Sequence, residues 1–313
     1  MKTRITLLLL SALLLLSALS LPSCAPKAEV YKAHSLDYFD TFTTITGYAD
    51  SREAFDEVAN LALARLGEYH RLFTIYNRYE GVANLCTVND LTDGAHQTVK
   101  VERPIIELLL CAKEMHRLTN GRVNVAMGSV LSIWHEYRAE GMNDPAAAKL
   151  PPMDKLREAA THTDIDSILI DEDASTVTIT DPAVKLDVGA IAKGFAVELV
   201  AKELEEQGIT GYVINVGGNV RTVGTKADGT PWLAGIENPS DEEGAEPYFA
   251  YLNLAGESLV TSGSYQRYYL VDGKRYHHII NPDTLMPEDL YLSVSVVCQS
   301  SAQGDALSPP CSA

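Results

Sequence analysis

The chain has 313 residues, with 25 lysines and arginines against 42 aspartates and glutamates, and a formal net charge of −17. Hydrophobic residues make up 46% and charged residues 21%, as in a globular protein with a substantial core. This composition excludes a disordered chain, a collagen, a coiled coil and a disulfide-dense miniprotein. The acidic balance argues against nucleic acid as a partner and against electrostatic docking on anionic lipid, because both need clustered basic residues.

Residues 1–23 are expected to be a signal peptide rather than part of the fold. Two basic residues near the start precede an apolar run over residues 5–21. Residues 21–24, Leu-Pro-Ser-Cys, resemble a bacterial lipobox, although proline is unusual there. We therefore expect lipidation of Cys24, a tether over residues 24–35, and an extracytoplasmic lipoprotein anchored to the membrane. An ordinary cleaved signal and an uncleaved anchor helix are the alternatives.

The first half of the chain predicts long helices. A strand rich in threonine and aromatic residues is predicted over 37–48, and Ser51 is the expected cap of the helix that follows. The apolar periodicity predicts helices over residues 52–70, 102–118 and near 153–161. Residues 139–152, which carry alanine and proline, are predicted to be a connection.

The second half is mostly strand. A hairpin is predicted over 167–171 and 176–180, and one well-marked helix over 189–207. Further strands are predicted over residues 212–218, 232–237, 248–254, 258–263, 265–271, 275–280 and 292–298. Because helices and strands do not alternate strictly, the predicted class is α+β rather than a doubly wound sheet.

One motif favours a bound anion. In LDVGAIAKGFA (186–196) an aspartate ends a strand, Gly189 permits a tight turn, and a helix begins at once. The free N–H groups at that helix start, with Lys193 one turn in, favour an anion. The segment matches neither a Walker A loop nor GxGxxG. A well-capped helix with a surface lysine is the alternative that spacing alone leaves open.

Three further segments carry polar groups with two interpretations each. Gly217 and Gly218 end a strand and either permit a close backbone approach or form a plain turn. The adjacent His277 and His278 point to opposite faces of an extended segment, so one can be structural while the other moves protons in a cleft. Asp305, near the start of a predicted helix, is either an N-terminal charge or a ligand for a hard cation.

Taken in order, these segments resemble one family. The chain carries FDTF (39–42), FTIYNRY (73–79), GRVNVAMG (121–128), LDVGAIAKGFA (186–196), INVGGNVRTVG (214–224), TSGSYQRY (261–268), YHHIINP (276–282) and GDALS (304–308). This order and wording resembles the ApbE family, the FAD:protein FMN transferases. The resemblance implies a single catalytic domain over 36–308 with that family's α+β fold, built of mixed helices and a sheet rich in antiparallel strands.

The resemblance also implies a reaction. Family members bind FAD and Mg²⁺ outside the cytoplasm and move FMN onto a serine or threonine hydroxyl of a target protein, typically a membrane or extracytoplasmic redox protein, with release of AMP. Some members instead hydrolyse FAD to FMN and AMP. The alternatives for this chain are therefore a Mg²⁺-dependent FAD pyrophosphatase and a catalytically impaired FAD-binding lipoprotein.

Matching the motifs position by position implies the site residues. Contacts to FAD are implied for Phe39, Tyr76, Val123, Asn124, Asp187, Lys193, Gly217, Gly218 and Ile279. Mg²⁺ ligands are implied at the backbone carbonyl of Ala190 and the carboxylate of Asp305. His278 is the candidate base that deprotonates the incoming hydroxyl, and His277 is the runner-up.

The chain departs from the family pattern at several of these positions. Val123 and Asn124 stand where the family has Phe-Asp, and Asn281 where it usually has aspartate. Pro309 stands where a second metal-binding hydroxyl is expected, and two consecutive prolines continue a helix poorly. Residues 309–313 are therefore expected to be an atypical, truncated end, with weak metal binding, lower stability or no activity as the consequence.

Overall fold

The computed structural model describes residues 28–90, 98–240, 242, 244–265, 267–288 and 290–312. The predicted signal peptide and Cys24 lie outside these ranges. Within the ranges, no helix combines the length and the apolar character that a transmembrane span requires.

The helices and strands of the described residues are as follows. The helices are α1 (Arg52–Phe73), α2 (Leu85–Asp90), α3 (Arg103–Leu118), α4 (Gly128–Asn143), α5 (Met153–Ala160), α6 (Ala192–Glu206) and α7 (Ser301–Ser312). The strands are β1 (Glu29–Ser35), β2 (Thr43–Ala49), β3 (Thr98–Lys100), β4 (Ile168–Asp171), β5 (Thr176–Ile179), β6 (Tyr212–Val216), β7 (Asn219–Val223), β8 (Trp232–Glu237), β9 (Tyr248–Leu254), β10 (Ser258–Gly263), β11 (Tyr268–Val271), β12 (Lys274–His277) and β13 (Ser293–Cys298).

The central layer is a six-stranded sheet in the order β1-β2-β6-β7-β10-β13. Every neighbouring pair in it is antiparallel. Helices α1, α6 and α7 pack against its strands, and their apolar residues form the main core together with those of β2 and β6. The predicted α+β class and the antiparallel sheet are confirmed.

A second, smaller core lies under α4 and α5. Its buried side chains include Trp134 of α4, Leu156 of α5 and Tyr269 of β11. The indole N–H of Trp134 donates to the carbonyl of Leu285 at 3.0 Å, which ties α4 to the turn after the predicted histidine strand. The functional cleft described below is lined by residues of both cores.

The structure corrects several predicted boundaries. Residues 29–35, assigned to the tether, form β1, because Tyr31 and Ala33 pack on the main core while the strand pairs with β2. The strand predicted from residue 37 begins at Thr43, since Phe39 and Asp40 have φ of 55° and 50° and form a turn. Helix α4 was not predicted, and its last turn covers residues 139–143, the start of the predicted connection over 139–152.

The predicted failure of the last helix is also corrected. Helix α7 runs through the two prolines to Ser312. Pro309 has no N–H to give to the carbonyl of Asp305, and the Ser308 hydroxyl donates to that carbonyl instead, at 3.4 Å. The lost backbone bond is thereby replaced by a side chain, and the helix continues.

Candidate active site

Most of the predicted site residues meet in one cleft of about 250 Å³. The predicted residues that line it are Tyr76, Val123, Asn124, Asp187, Ala190, Lys193, Gly217, His278, Ile279 and Asp305. Phe39 lies instead in an adjoining cavity of about 140 Å³, which shares Tyr76, Asp187 and Lys193 with the cleft. Gly218 is adjacent in sequence to Gly217 but is not among the residues of either wall.

The carboxylate of Asp305 is the best-held polar group of the cleft. Asp305 is 3% exposed. Its Oδ2 accepts the backbone N–H of Gly194 at 2.7 Å, and its Oδ1 accepts from Asn219 Nδ2 at 3.0 Å and from Lys193 Nζ at 3.3 Å. Asp305 therefore caps the start of α6 from α7, and Lys193 lies beside it because Lys193 is next to the capped Gly194 in that helix start.

A glycine allows this capping contact. A Cβ placed on Gly194 would lie 2.3 Å from the carbonyl oxygen of Ser301 and 2.4 Å from the Cβ of Asp305. Helices α6 and α7 are in backbone contact at this point, so only glycine fits. The AKG segment of the motif at 186–196 thus supplies both the lysine and the close approach that positions Asp305 beside it.

The backbone conformation and a close contact with Thr41 require glycine at the Gly217–Gly218 turn. Both residues have positive φ, 54° and 91°. A Cβ on Gly217 would lie 2.2 Å from the Thr41 hydroxyl oxygen, and the Gly217 N–H donates to the carbonyl of Phe42 at 3.1 Å. The predicted close backbone approach exists, and the partner that requires it is residue 41, another wall residue of the cleft.

The two adjacent histidines take different roles. His277 is 3% exposed, its Nε2 lies 3.2 Å from the carbonyl of Glu288, and its Nδ1 accepts from the N–H of Ile279. His278 lines the cleft, with its Nδ1 3.2 Å from the carbonyl of Arg267. Since a carbonyl only accepts, Nδ1 of His278 carries the proton and Nε2 is an acceptor.

The surroundings keep His278 neutral. Burial, followed by the positive charges of Arg267 and Arg138, lowers the pKa of His278 to about 3. The imidazole is therefore unprotonated at neutral pH. It is a weak base in the free protein, and its strength depends on the two arginines.

Sequence reasoning missed a group of cleft residues on α4 and before β11. His135 lies with Nδ1 3.3 Å from the Tyr76 hydroxyl and Nε2 3.9 Å from Asp187 Oδ2. Burial and the nearby arginines lower its pKa, while Asp187 opposes that shift. Burial, followed by the charge of Asp187, raises the pKa of Tyr76 to about 12, so its hydroxyl stays protonated. Arg138 and Arg267 line the cleft beside them.

No local signal identified this group. Residues 128–143 were not predicted to be helical, and the one available signal is that a helix there places His135 and Arg138, three residues apart, on one face. The cleft is lined by four cationic side chains, those of Arg122, Arg138, Lys193 and Arg267, against the carboxylates of residues 187 and 305. It is therefore locally positive within an acidic protein.

Both polar atoms of the Asn124 side chain bond to backbone groups of the protein. Its Nδ2 donates to the carbonyl of Thr163 at 2.8 Å, and its Oδ1 accepts from the N–H of Ala126 at 2.9 Å. Val123 beside it is buried and forms part of the wall. Asp187 likewise accepts from the N–H of Gly189 at 2.9 Å, which forms the turn before α6.

Comparison with known proteins agrees with the predicted family. The ApbE family model matches residues 39–313. A Klebsiella pneumoniae (strain 342) protein named FAD:protein FMN transferase is 34% identical over 244 residues, which are 75% of this chain and 72% of that protein.

Two solved structures share the fold. The ApbE protein of Thermotoga maritima MSB8 superposes with a TM-score of 0.76 and 26% identity, and the flavin transferase ApbE of Vibrio cholerae with 0.70 and 25%. Each comparison covers 90% of this chain and 86% of the other. The enzyme class predicted from the motifs, a transferase, is the class that these relatives are named for. The chain belongs to the ApbE family.

Proposed function

We propose that this protein is an FAD:protein FMN transferase. The hydroxyl of a serine or threonine on a target protein attacks the phosphorus of the FMN half of FAD, the P–O–P bond breaks, and AMP leaves. The proton of the hydroxyl goes to Nε2 of His278. The observation that carries this proposal is that an unprotonated imidazole, His278, and a buried carboxylate with an adjacent lysine, Asp305 and Lys193, line one locally positive cleft.

Charge neutralisation is the main demand of phosphoryl transfer. Lys193 supplies positive charge to a pyrophosphate in this cleft, whereas the Gly194 N–H at the start of α6 is already taken by Asp305. Tyr76 lines the cleft, and its aromatic ring suits stacking on a flavin.

The residues present fit a magnesium ion. A carboxylate offers about four acceptor positions, and Asp305 accepts three N–H donors, so one position is free for a cation. Ala190 lines the same cleft, and Mg²⁺ prefers oxygen ligands such as a backbone carbonyl while it keeps several waters. When bound, Mg²⁺ would neutralise charge on the pyrophosphate. Asp305 and Ala190 are the residues that would hold it.

His278 is proposed as the general base because of its tautomer. Its Nδ1–H donates to the carbonyl of Arg267, which orients the ring and leaves Nε2 to accept a proton. His277 is unsuited to this role, since both of its ring nitrogens interact with backbone groups.

The cellular setting is part of the proposal. The signal peptide over 1–23 and the lipid on Cys24 would hold the enzyme at the outer side of a bacterial membrane, where extracytoplasmic or membrane redox proteins are the target class. A globomycin-sensitive shift in the mass of the full-length protein, absent from Cys24→Ala, would support this anchoring. An unshifted mass would contradict it.

One experiment tests the chemistry and separates the alternatives. The protein is incubated with FAD, Mg²⁺ and a flavoprotein fragment bearing the acceptor hydroxyl, and AMP release and the fragment mass are measured. We expect AMP together with a fragment whose mass increases by that of FMN less one water, as a phosphoester requires. AMP with free FMN and no mass change would mean FAD hydrolysis, and FAD binding without AMP would mean a flavin-binding lipoprotein.

A variant tests the base. We expect His278→Ala to abolish transfer while FAD affinity stays within a few-fold of wild type, because the imidazole acts on the hydroxyl rather than on FAD. His34→Ala, an exposed histidine on β1, is the matched control. Full transfer by His278→Ala would refute the assignment.

A further inference from the structure

We propose that Arg138 and Arg267 form a phosphate subsite beside His278, separate from the Asp305 end of the cleft, and that a phosphate bound there enables His278 to accept the proton. This inference rests on the proposed function, because it names the residues that would couple substrate charge to the base.

Among the described residues, Arg138 and Arg267 lack the carboxylate partner that most of the arginines have. Within the described ranges, neither has a carboxylate oxygen within the 4.0 Å limit of an ion pair. Arg122, on the same cleft, pairs with Asp283 at 3.6 Å. The guanidinium of Arg267 makes one long bond, 3.4 Å, to the carbonyl of Asp40.

The arrangement is unfavourable without an anion. Arg138 is partly withdrawn from water on α4, and this desolvation lowers its pKa, with a further lowering by the charge of Arg267. Asp187 and Tyr76 act in the opposite direction on Arg138, but the Tyr76 hydroxyl is protonated at neutral pH. Arg138 is half-buried and Arg267 is exposed at the rim of the same cleft. A phosphate that contacts both would supply the anionic partner that neither guanidinium group has within the described ranges.

The same two charges act on His278. The charged and titratable groups that affect its imidazole are Arg267, whose carbonyl also accepts from Nδ1, Arg138 and His277. After burial, the charges of the two arginines are the main cause of its low pKa. A phosphate that neutralises them raises the proton affinity of His278, although burial, the larger cause, still lowers it; the base is therefore stronger with an anionic substrate in place than in the free protein.

Binding measurements on the full chain test the subsite. Inorganic pyrophosphate is titrated by calorimetry, in buffer with a chelator so that no divalent cation takes part, into wild type, Arg138→Gln, Arg267→Gln and Arg138→Lys. We expect affinity at least about tenfold weaker in each glutamine variant, from the loss of a charge-assisted bond, and a smaller loss in Arg138→Lys. Arg157→Gln, an exposed arginine of α5 outside the cleft, is the matched control and should bind as wild type does.

Histidine resonances test the coupling. The pKa of His278, assigned by comparison with His278→Gln, should rise when pyrophosphate is added to wild type. In both arginine-to-glutamine variants it should already be higher without pyrophosphate. Equal urea midpoints check that the variants fold.

The outcomes separate this inference from the proposed function. Three results would each overturn the subsite. The pyrophosphate affinity could be unchanged in both glutamine variants, it could fall equally in Arg157→Gln, or the pKa of His278 could stay the same when pyrophosphate is added. If wild type releases AMP and labels the target while these results hold, only the subsite fails. If wild type binds pyrophosphate through the arginines but transfers no FMN, the proposed function fails and the anion site stands.

Discussion

The contact between α6 and α7 makes a sharp prediction at Gly194. In a free helix, glycine to alanine stabilises by about 1 kcal/mol. Here the new Cβ would lie 2.3 Å from the Ser301 carbonyl oxygen and 2.4 Å from the Asp305 Cβ. Since carbon contacts are relaxed only at about 3.5 Å, the helices must separate by roughly 1 Å.

That separation also breaks a bond. The Gly194 N–H lies 2.7 Å from Asp305 Oδ2, and an added ~1 Å takes it out of hydrogen-bond range. Overpacking costs about 1–3 kcal/mol and a bond to a charged group contributes about 1.5–3 kcal/mol. After the gain in helix propensity is subtracted, we expect Gly194→Ala to lose about 1.5–5 kcal/mol in the free energy of unfolding.

Urea unfolding followed by circular dichroism measures this loss. The control is Gly67→Ala on α1, where a Cβ meets only the ring edge of Tyr38 at 2.9 Å, so we expect a change within about 1 kcal/mol. Magnesium titration of both variants should show weaker binding for Gly194→Ala alone, since Asp305 is displaced. A Gly194→Ala protein as stable as wild type, with unchanged magnesium affinity, would refute the reasoning.

Three further changes have defined outcomes. Arg221→Met should cost roughly 3–5 kcal/mol in urea unfolding, because it removes the buried cation that lies 3.4 Å from the buried Glu198 carboxylate. Adding Glu198→Gln should recover part of this loss, and no recovery would contradict the ion-pair account. His278 has a pKa of about 3 in the folded state against 6.5 ordinarily, so the unfolded chain binds more protons between these values and stability falls as the pH drops from 6.5 towards 3. In urea titrations over that pH range, the free energy of unfolding of His278→Gln should therefore fall less than that of wild type. An identical dependence on pH in the two proteins would contradict this expectation. Pro309→Thr should tighten Mg²⁺ binding in calorimetry if the hydroxyl expected there is a ligand, and equal affinity would show that this proline is not what limits binding.

Strong local patterns were sufficient for most of the fold. The strands predicted over 232–237, 248–254 and 258–263 have the observed bounds, because their strand composition and bounding turns are local. Ser51 caps α1 as predicted, with its hydroxyl accepting from the N–H of Ala54. Helix α4 was not predicted. Its buried Trp134 bonds to a turn more than a hundred residues away, and no local pattern shows such a contact.

The tether was misassigned for a similar reason. Residues 29–35 have little apolar character, and they form β1 because the edge of β2 offers a full row of backbone partners. At Pro309 a helix was expected to end, yet α7 continues to Ser312. The Ser308 hydroxyl donates to the carbonyl that the proline leaves without a backbone donor.

The sequence by itself determined the family, the α+β class, the anion-favouring start of α6 and the chemistry-bearing residues of the motifs, because each depends on neighbours in the chain. Only the tertiary structure decided how they act together. The bond between residues 194 and 305 and the contact of His135 with Tyr76 join distant segments, and the choice between the two histidines depends on carbonyls eleven residues away in either direction. Such contacts follow from the packing of helices and sheet, and no local periodicity encodes them.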